Sequence, residues 1–281
     1  MSGSAVVGSA VARDGTLLRT RHWAPGEVPW ARLLLVHGIA EHSGRYERTG
    51  ALLAAAGVDV TAFDLRGFGE SGGPRAYVAG WHVYLDDVED RLAALRDGLP
   101  LVLMGHSMGG LIALTYLLDG RPAPDRCVLS SPALGTTVPL PVRAVAPVLG
   151  RLAPMLRLSN GLRGEQLASD PEVARAYVAD PLVTPRSTAR LGAELFAAAA
   201  RARQRLRALP VPTLVTHGSD DTIVPPSSTE PLGALPNVVR RVYPGLRHET
   251  LNEPQGPQVL ADIVAWLRAS LAAPSGAGRA E

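Results

Sequence analysis

A five-residue box between an apolar run and a helical run constrains the fold of this chain more than any other feature. The box Gly105-His106-Ser107-Met108-Gly109 has the pattern G-x-S-x-G, follows the apolar run 101–104 and opens the helical run 111–118. This order predicts a strand, a sharp turn with a serine at its tip, and a helix. The turn forces the serine to a positive φ, and the two glycines of the box remove Cβ atoms that would collide as strand and helix close. Ser107 is therefore the candidate nucleophile; the alternative is a glycine-rich turn with an idle serine.

Composition describes an ordinary globular protein. Its 281 residues are 46% hydrophobic and 19% charged, with a formal net charge of +2. The length suits one large α/β domain with an insertion, or two small domains, and the small charge gives no sign of nucleic-acid binding.

The single cysteine, Cys127, allows no intrachain disulfide and is expected to be a small buried hydrophobe. The N-terminus lacks the pattern of a signal peptide and no apolar run is long enough to span a membrane, so we expect a cytoplasmic protein.

Strands and helices alternate along most of the chain. The first two strands are joined by the turn signal Asp14-Gly15, which predicts a hairpin. The alternation that follows predicts a mostly parallel central sheet with helices on both faces. We expect strands at 5–13, 17–23, 32–37, 58–63, 101–104, 126–129, 213–217 and 238–243, and helices at 45–56, 81–96, 108–118, 227–234 and 257–271.

The alternation stops at Pro132. Residues 133–209 hold no clear buried strand, and helices are expected there at 142–158, 171–177 and 188–207. We therefore predict one α/β domain, formed by 1–132 and 210–272, with a helical cap over 133–209 inserted after the sixth strand. Residues 273–281 have the composition of a disordered tail.

Two further side chains could activate Ser107. A serine hydroxyl needs a base to take its proton and a carboxylate to orient that base; in this architecture they follow in the order acid, then histidine, at the ends of later strands. Asp220 and Asp221 follow the strand 213–217, and we favour Asp221 because it lies one step further beyond the turn. The other aspartate is interpreted as a loop cap. His248, the only histidine beyond the last strand, is the candidate base.

The other histidines are interpreted as structural. His106 is expected to support the turn, His217 to be packed or hydrogen-bonded, and His22 and His82 lack a chemical context. His37 and His42 flank Glu41 on a glycine-punctuated loop, but their spacing is not that of a metal-binding helix, so we predict no metal site.

A tetrahedral intermediate needs two hydrogen-bond donors for its oxyanion. One candidate is the backbone N–H of Met108, which follows the serine and opens a helix whose dipole favours negative charge. The other is the backbone N–H of Ile39, on the loop after the strand 32–37, where Gly38 lets the loop approach the turn.

These motifs together resemble those of the α/β-hydrolase superfamily, and specifically the monoacylglycerol lipase family, over nearly the whole chain. The resemblance implies an α/β-hydrolase fold, a triad of Ser107, Asp221 and His248, and oxyanion amides at Ile39 and Met108. It also implies no metal or organic cofactor, and hydrolysis of monoacylglycerols and similar esters. The matching residues are His37-Gly38-x-x-Glu41-His42-Ser43-Gly44-Arg45-Tyr46, Asp64-x-Arg66-Gly67-x-Gly69-x-Ser71, Gly105-His106-Ser107-Met108-Gly109-Gly110, Gly218-x-x-Asp221 and Gly245-x-x-His248-Glu249.

An apolar stripe in the predicted cap has two interpretations. It could pack onto the domain and line an acyl pocket, or its arginine-bordered face could enter a membrane surface to collect lipid. Because Pro147 and Pro154 interrupt the segment, we expect short helices rather than one long helix. The stripe consists of Val145, Val148, Leu149, Leu152 and Leu156.

The sequence thus predicts a cofactor-independent serine hydrolase that cleaves monoacylglycerols or related lipophilic esters through an acyl-enzyme. A general carboxylesterase, a lysophospholipase or an acyltransferase with the same triad remains an alternative. So does a non-catalytic ligand-binding protein on a hydrolase scaffold.

Overall fold

The computed structural model describes residues 4–272, so the predicted tail at 273–281 lies outside the described chain. The strands are Val6–Val11 (β1), Leu17–Trp23 (β2), Ala31–Val36 (β3), Val58–Phe63 (β4), Leu101–His106 (β5), Arg126–Ser130 (β6), Arg157–Ser159 (β7), Arg186–Thr188 (β8), Thr213–Gly218 (β9) and Val238–Tyr243 (β10). The α-helices are Glu47–Ala55 (α1), His82–Leu95 (α2), Met108–Leu118 (α3), Leu140–Leu152 (α4), Gly164–Leu167 (α5), Pro171–Ala179 (α6), Ala189–Arg205 (α7), Glu230–Gly233 (α8) and Gly256–Ala272 (α9).

Eight of these strands form one sheet in the order β1-β2-β4-β3-β5-β6-β9-β10. Strand β2 pairs antiparallel with β1, which confirms the predicted hairpin, and also with β4. The remaining neighbours pair in parallel. The prediction of a mostly parallel sheet flanked by helices is therefore confirmed.

Both faces of the central strands β3 to β5 are buried, which explains their continuous apolar runs. Side chains of a strand point alternately to opposite faces. In β3, Leu34 and Val36 pack with α2 and α3, whereas Leu33 and Leu35 pack on the other side with α1 and α9. Cys127 of β6 is buried in the first of these clusters, as expected.

The segment between β6 and β9 contributes no strand to the eight-stranded sheet. It contains α4 to α7 and a small antiparallel pair formed by β7 and β8, which the sequence did not indicate because strands of three residues carry no periodicity. The expectation of helices broken at both prolines is half wrong. Helix α4 continues through Pro147 and ends at Leu152, before Pro154. Pro147 lies on an exposed face, where water can bind the carbonyl that loses its helical donor.

Candidate active site

Ser107 lies at the tip of the turn between β5 and α3, with φ 52° and ψ −115°. This positive φ is the strained conformation expected from the box. A Cβ on Gly105 would lie 2.3 Å from the carbonyl oxygen of Gly109, so the strand and helix close on each other as predicted. A Cβ on Gly109 would instead lie 2.2 Å from the carbonyl oxygen of Val36, because α3 begins against β3.

The structure brings the three predicted catalytic side chains together. The hydroxyl oxygen of Ser107 lies 2.9 Å from Nε2 of His248. Nδ1 of the same ring lies 2.7 Å from Oδ2 of Asp221. All three residues are nearly fully buried, with exposed fractions of 4–6%. When the carboxylate accepts from Nδ1–H of a neutral ring, Nε2 carries no hydrogen and can accept from the serine hydroxyl.

The geometry distinguishes the two adjacent aspartates. Asp220 is exposed and accepts a hydrogen bond from the hydroxyl of Ser219. Oδ1 of Asp221 accepts from the backbone amides of Ile223 and Val224, at 2.8 and 2.9 Å. Burial alone would raise the pKa of the Asp221 carboxyl, but its histidine neighbours and these amides hold that pKa well below its usual range. The carboxylate of Asp221 is therefore ionised at neutral pH.

The two predicted oxyanion amides lie beside the serine. Ile39 and Met108 both line the same cavity as Ser107. Within residues 4–272, neither amide donates a hydrogen bond to another group of the chain. The loop that carries Ile39 is held close to the turn, since a Cβ on Gly38 would lie 3.2 Å from that of Ser107. The next residue, Ala40, has φ 70°, so this loop also contains backbone strain.

A buried charge cluster links the loop of Ile39 with the loop that carries His248. Glu41 accepts hydrogen bonds from the Gly38 amide at 2.6 Å and from the Tyr46 hydroxyl at 2.8 Å. Arg45 donates to Glu41 at 2.9 Å and, through two nitrogens, to Glu249 at 2.6 and 2.9 Å. Burial alone would raise the pKa of Glu41, but the charge of Arg45 leads the effects that lower it to about 2. The cluster thus connects the loop of Ile39 with the residue next to His248.

The sequence motifs contained these residues without indicating their contacts. Arg45 and Glu249 are 204 positions apart, so their pairing depends on the tertiary fold. The guanidinium of Arg45 also lies 4.9 Å from the ring centroid of Tyr177 in α6, which links the cluster to the inserted segment.

His106 and His37 have structural contacts near the site. Nδ1 of His106 lies 3.3 Å from the hydroxyl oxygen of Ser130, consistent with support of the turn, and its ring is 4.8 Å from that of His248. Burial, with the nearby His248, lowers the pKa of His106 to about 4. His37 donates from Nδ1 to the Gly38 carbonyl at 2.7 Å and accepts at Nε2 from the Leu65 amide, so its tautomer is fixed.

A cavity of about 460 Å³ opens onto Ser107. Most of its lining is apolar, and much of it comes from the segment between β6 and β9. Leu149 of α4 lines this cavity, whereas Val145, Val148, Leu152 and Leu156 are exposed at 45–77%. The predicted stripe is thus divided between the cavity and the exposed surface of α4 and of the residues that follow it.

A serine on such a turn, bonded through a histidine to a carboxylate at the edge of a mostly parallel sheet, defines an α/β-hydrolase. A model of the Hydrolase_4 family, described as serine aminopeptidase, S33, matches residues 27–255. The chain belongs to this family.

Individual proteins that are similar to this chain support its assignment to this family. The monoacylglycerol lipase of Mycolicibacterium smegmatis is 37% identical over 255 residues, covering 87% of this chain and 90% of that protein. The monoglyceride lipase of Homo sapiens is 33% identical over 224 residues, covering 76% and 72%. The crystal structure of Paleococcus ferrophilus monoacylglycerol lipase matches with a TM-score of 0.83 and 33% identity, over 90% of this chain and 99% of that one. The predicted fold, the resemblance to monoacylglycerol lipases and the assignment to the esterase and lipase hydrolases are confirmed.

Proposed function

We propose that this protein hydrolyses monoacylglycerols and related single-chain esters through an acyl-enzyme on Ser107. The observation that carries the proposal is the hydrogen-bonded series Ser107–His248–Asp221, whose serine opens into a large apolar cavity. The relatives named as monoacylglycerol or monoglyceride lipases support the substrate class.

The proposed reaction has two halves. The hydroxyl oxygen of Ser107 attacks the ester carbonyl while Nε2 of His248 takes its proton. The amides of Ile39 and Met108 donate to the oxyanion of the tetrahedral intermediate, and Asp221 stabilises the imidazolium. The imidazolium then protonates the leaving alcohol. A water molecule, deprotonated by the same nitrogen, then attacks the acyl-enzyme. His248 returns that proton to the oxygen of Ser107 as the bond to the acyl group breaks and the fatty acid leaves.

Two cavities of different size meet at Ser107, and each suits a different reactant. The large cavity suits an acyl chain because its lining is mostly aliphatic, with one aromatic ring from Phe196. A second cavity of about 30 Å³ is lined by residues that include Ser107, His248, Glu41 and Glu249. A polar space of this size beside the reacting groups suits the attacking water.

We propose further that residues 133–209 act as a cap that carries the acyl pocket and contacts a membrane surface. Val145, Val148 and Leu152 on the outside of α4 are exposed at 50%, 54% and 77%. Exposed arginines, including Arg151 and Arg157, border this face and would attract anionic headgroups. Within residues 4–272, no helix is sufficiently long and apolar to cross a membrane. The cytoplasmic location stays a prediction.

Co-sedimentation with anionic phospholipid vesicles tests the membrane contact. We expect Leu152→Asp to reduce the bound fraction, because it places a carboxylate on the docking face. Val28→Asp is the matched control, since Val28 is 89% exposed and lies outside residues 133–209. Equal binding by the two variants and the wild type would contradict membrane docking through α4.

A substrate panel tests the proposed reaction. Monoacylglycerols of increasing acyl length should be hydrolysed faster than diacylglycerols, lysophospholipids and an aminoacyl anilide, and Ser107→Ala should abolish all turnover while the fold is retained. A preference for lysophospholipids, or transfer of the acyl group to added alcohols, would favour one of the alternative enzymes. Failure of the wild type to react with a fluorophosphonate probe would instead favour a ligand-binding protein.

A further inference from the structure

A second histidine bonds to the carboxylate of the proposed triad. His217 is the penultimate residue of β9 and is fully buried. Its Nε2 lies 3.0 Å from Oδ2 of Asp221, the same oxygen that faces His248. We propose that His217 is a positioning residue that holds Asp221 in the orientation required by the base; this inference rests on the proposed function of the triad.

The direction of the hydrogen bond follows from its partners. Nε2 of His217 also lies 3.0 Å from the carbonyl oxygen of Val224. A carbonyl and an ionised carboxylate can only accept, so Nε2 carries a hydrogen whether the ring is neutral or charged. The single Nε2–H is therefore shared between the Val224 carbonyl and the Asp221 carboxylate, and His217 is the donor in both contacts.

The other side of the ring is anchored as well. Nδ1 of His217 lies 3.3 Å from the hydroxyl oxygen of Thr229. That hydroxyl accepts from Nε of Arg240 and lies 2.9 Å from the carbonyl oxygen of Pro226. These contacts place the buried ring between β9 and the segment that follows it.

The four donors around Asp221 divide equally between its oxygens. Two backbone amides hold Oδ1, and two histidines hold Oδ2 at 2.7 and 3.0 Å. In the proposed reaction His248 gains and loses a proton twice in each turnover, so the strength of its bond to Oδ2 changes. His217 does not take part in the proton transfer, and it keeps Oδ2 in place throughout. Rotation about the terminal bond of an aspartate is otherwise soft.

This role predicts an effect on turnover rather than on substrate binding. His217 does not line the large cavity, so its loss should leave substrate binding unchanged. Its loss should instead leave the Asp221 carboxylate less well oriented toward the imidazolium of His248. Because a hydrogen bond to a charged group is strong, we expect a loss of about tenfold in kcat with KM changed by less than about twofold.

Two amide substitutions separate hydrogen bonding from packing. In His217→Gln the amide nitrogen can reach the position of Nε2, whereas in His217→Asn it reaches only the position of Nδ1. We expect about tenfold lower kcat for the asparagine variant and a kcat within about threefold of the wild type for the glutamine variant. Titration with a fluorophosphonate gives kcat per folded active site, so a misfolded fraction does not distort the comparison.

The outcomes distinguish this inference from the proposed function. An asparagine variant with wild-type kcat, or a glutamine variant as slow as the asparagine variant, overturns the positioning role of His217. Equal ester hydrolysis by the wild type and Ser107→Ala overturns the proposed function and this inference together. Full dependence on Ser107, with rescue by glutamine but not by asparagine, supports both.

Discussion

Replacing Arg45 with methionine removes the guanidinium that bridges Glu41 and Glu249 in the buried charge cluster. The side chains of these two glutamates are only 3% and 5% exposed. Arg45→Met keeps an apolar stem of similar length but leaves both carboxylates without their shared cation. Removing one partner of a buried ion pair costs about 3–5 kcal/mol, so we expect the free energy of unfolding to fall by about that amount at pH 7.

The pH dependence of the stability loss distinguishes the removal of this ion pair from a loss of packing. In the wild type, Arg45 contributes to lowering the pKa of Glu41 from 4.5 to about 2, so the resulting stability is present above pH 4.5 and lost as the pH falls toward 2. Without Arg45, we expect burial to dominate and to raise the pKa of Glu41 above its ordinary value of 4.5, so that the carboxyl of the variant takes up a proton as the pH falls from 7 to 5. The difference in stability between variant and wild type should therefore shrink as the pH is lowered from 7 to 5.

Urea-induced unfolding at pH 7 and pH 5 measures both effects. Arg175→Met is the matched control, because Arg175 pairs with Glu172 on an exposed face of α6, at side-chain exposures of 66% and 74%. Its loss should change stability by less than about 0.5 kcal/mol. The reasoning would be refuted if Arg45→Met were as stable as this control. It would also be refuted if the loss of stability relative to the wild type were larger at pH 5 than at pH 7.

Three further predictions concern the site. Asp221→Ala should lower kcat by about four orders of magnitude in an ester assay, whereas Asp220→Ala should stay near wild type. Gly109→Ala should destabilise the fold by about 3 kcal/mol or more in chemical unfolding, because the added Cβ would lie 2.2 Å from the carbonyl oxygen of Val36 in β3. Gly192→Ala in α7 is the control: its added Cβ has no atom within 4 Å, so the free energy of unfolding should rise by up to about 1 kcal/mol. Burial lowers the pKa of His106 from 6.5 to about 4, so this residue should reduce the stability of the wild type by about 3 kcal/mol as the pH drops from 6.5 to 4. His106→Gln should lack this contribution.

Equal kcat in the two aspartate variants would contradict the assignment of Asp221. Normal stability of Gly109→Ala would mean that α3 can move away from β3. For the histidine, stability measured at several pH values in both proteins separates its titration from that of the carboxylates, because the glutamine variant retains the carboxylates.

Local chemistry made the turn at Ser107 predictable. The positive φ of the serine and the close approach at Gly105 follow from a strand and a helix joined without a spacer, and both are present in the structure. The predicted site residues also occupy the ends of the expected strands, because parallel strands bring their carboxyl ends to one edge of the sheet.

Contacts between distant segments were not predictable in the same way. Gly109 is required by the carbonyl of Val36 in β3, and no pattern near Gly109 contains that information. The bond from His217 to Asp221 depends on how the loop after β9 folds back on its own strand. In the inserted segment, Pro147 indicated a break, but solvent exposure of that helical face allows the helix to continue.

Mass spectrometry of the enzyme, acid-quenched during turnover of a monoacylglycerol, tests the central claim most directly. The account predicts a fatty acyl group attached to the peptide that contains Ser107, and neither adduct nor turnover in Ser107→Ala. An acyl group on another residue, or continued hydrolysis by Ser107→Ala, would contradict it.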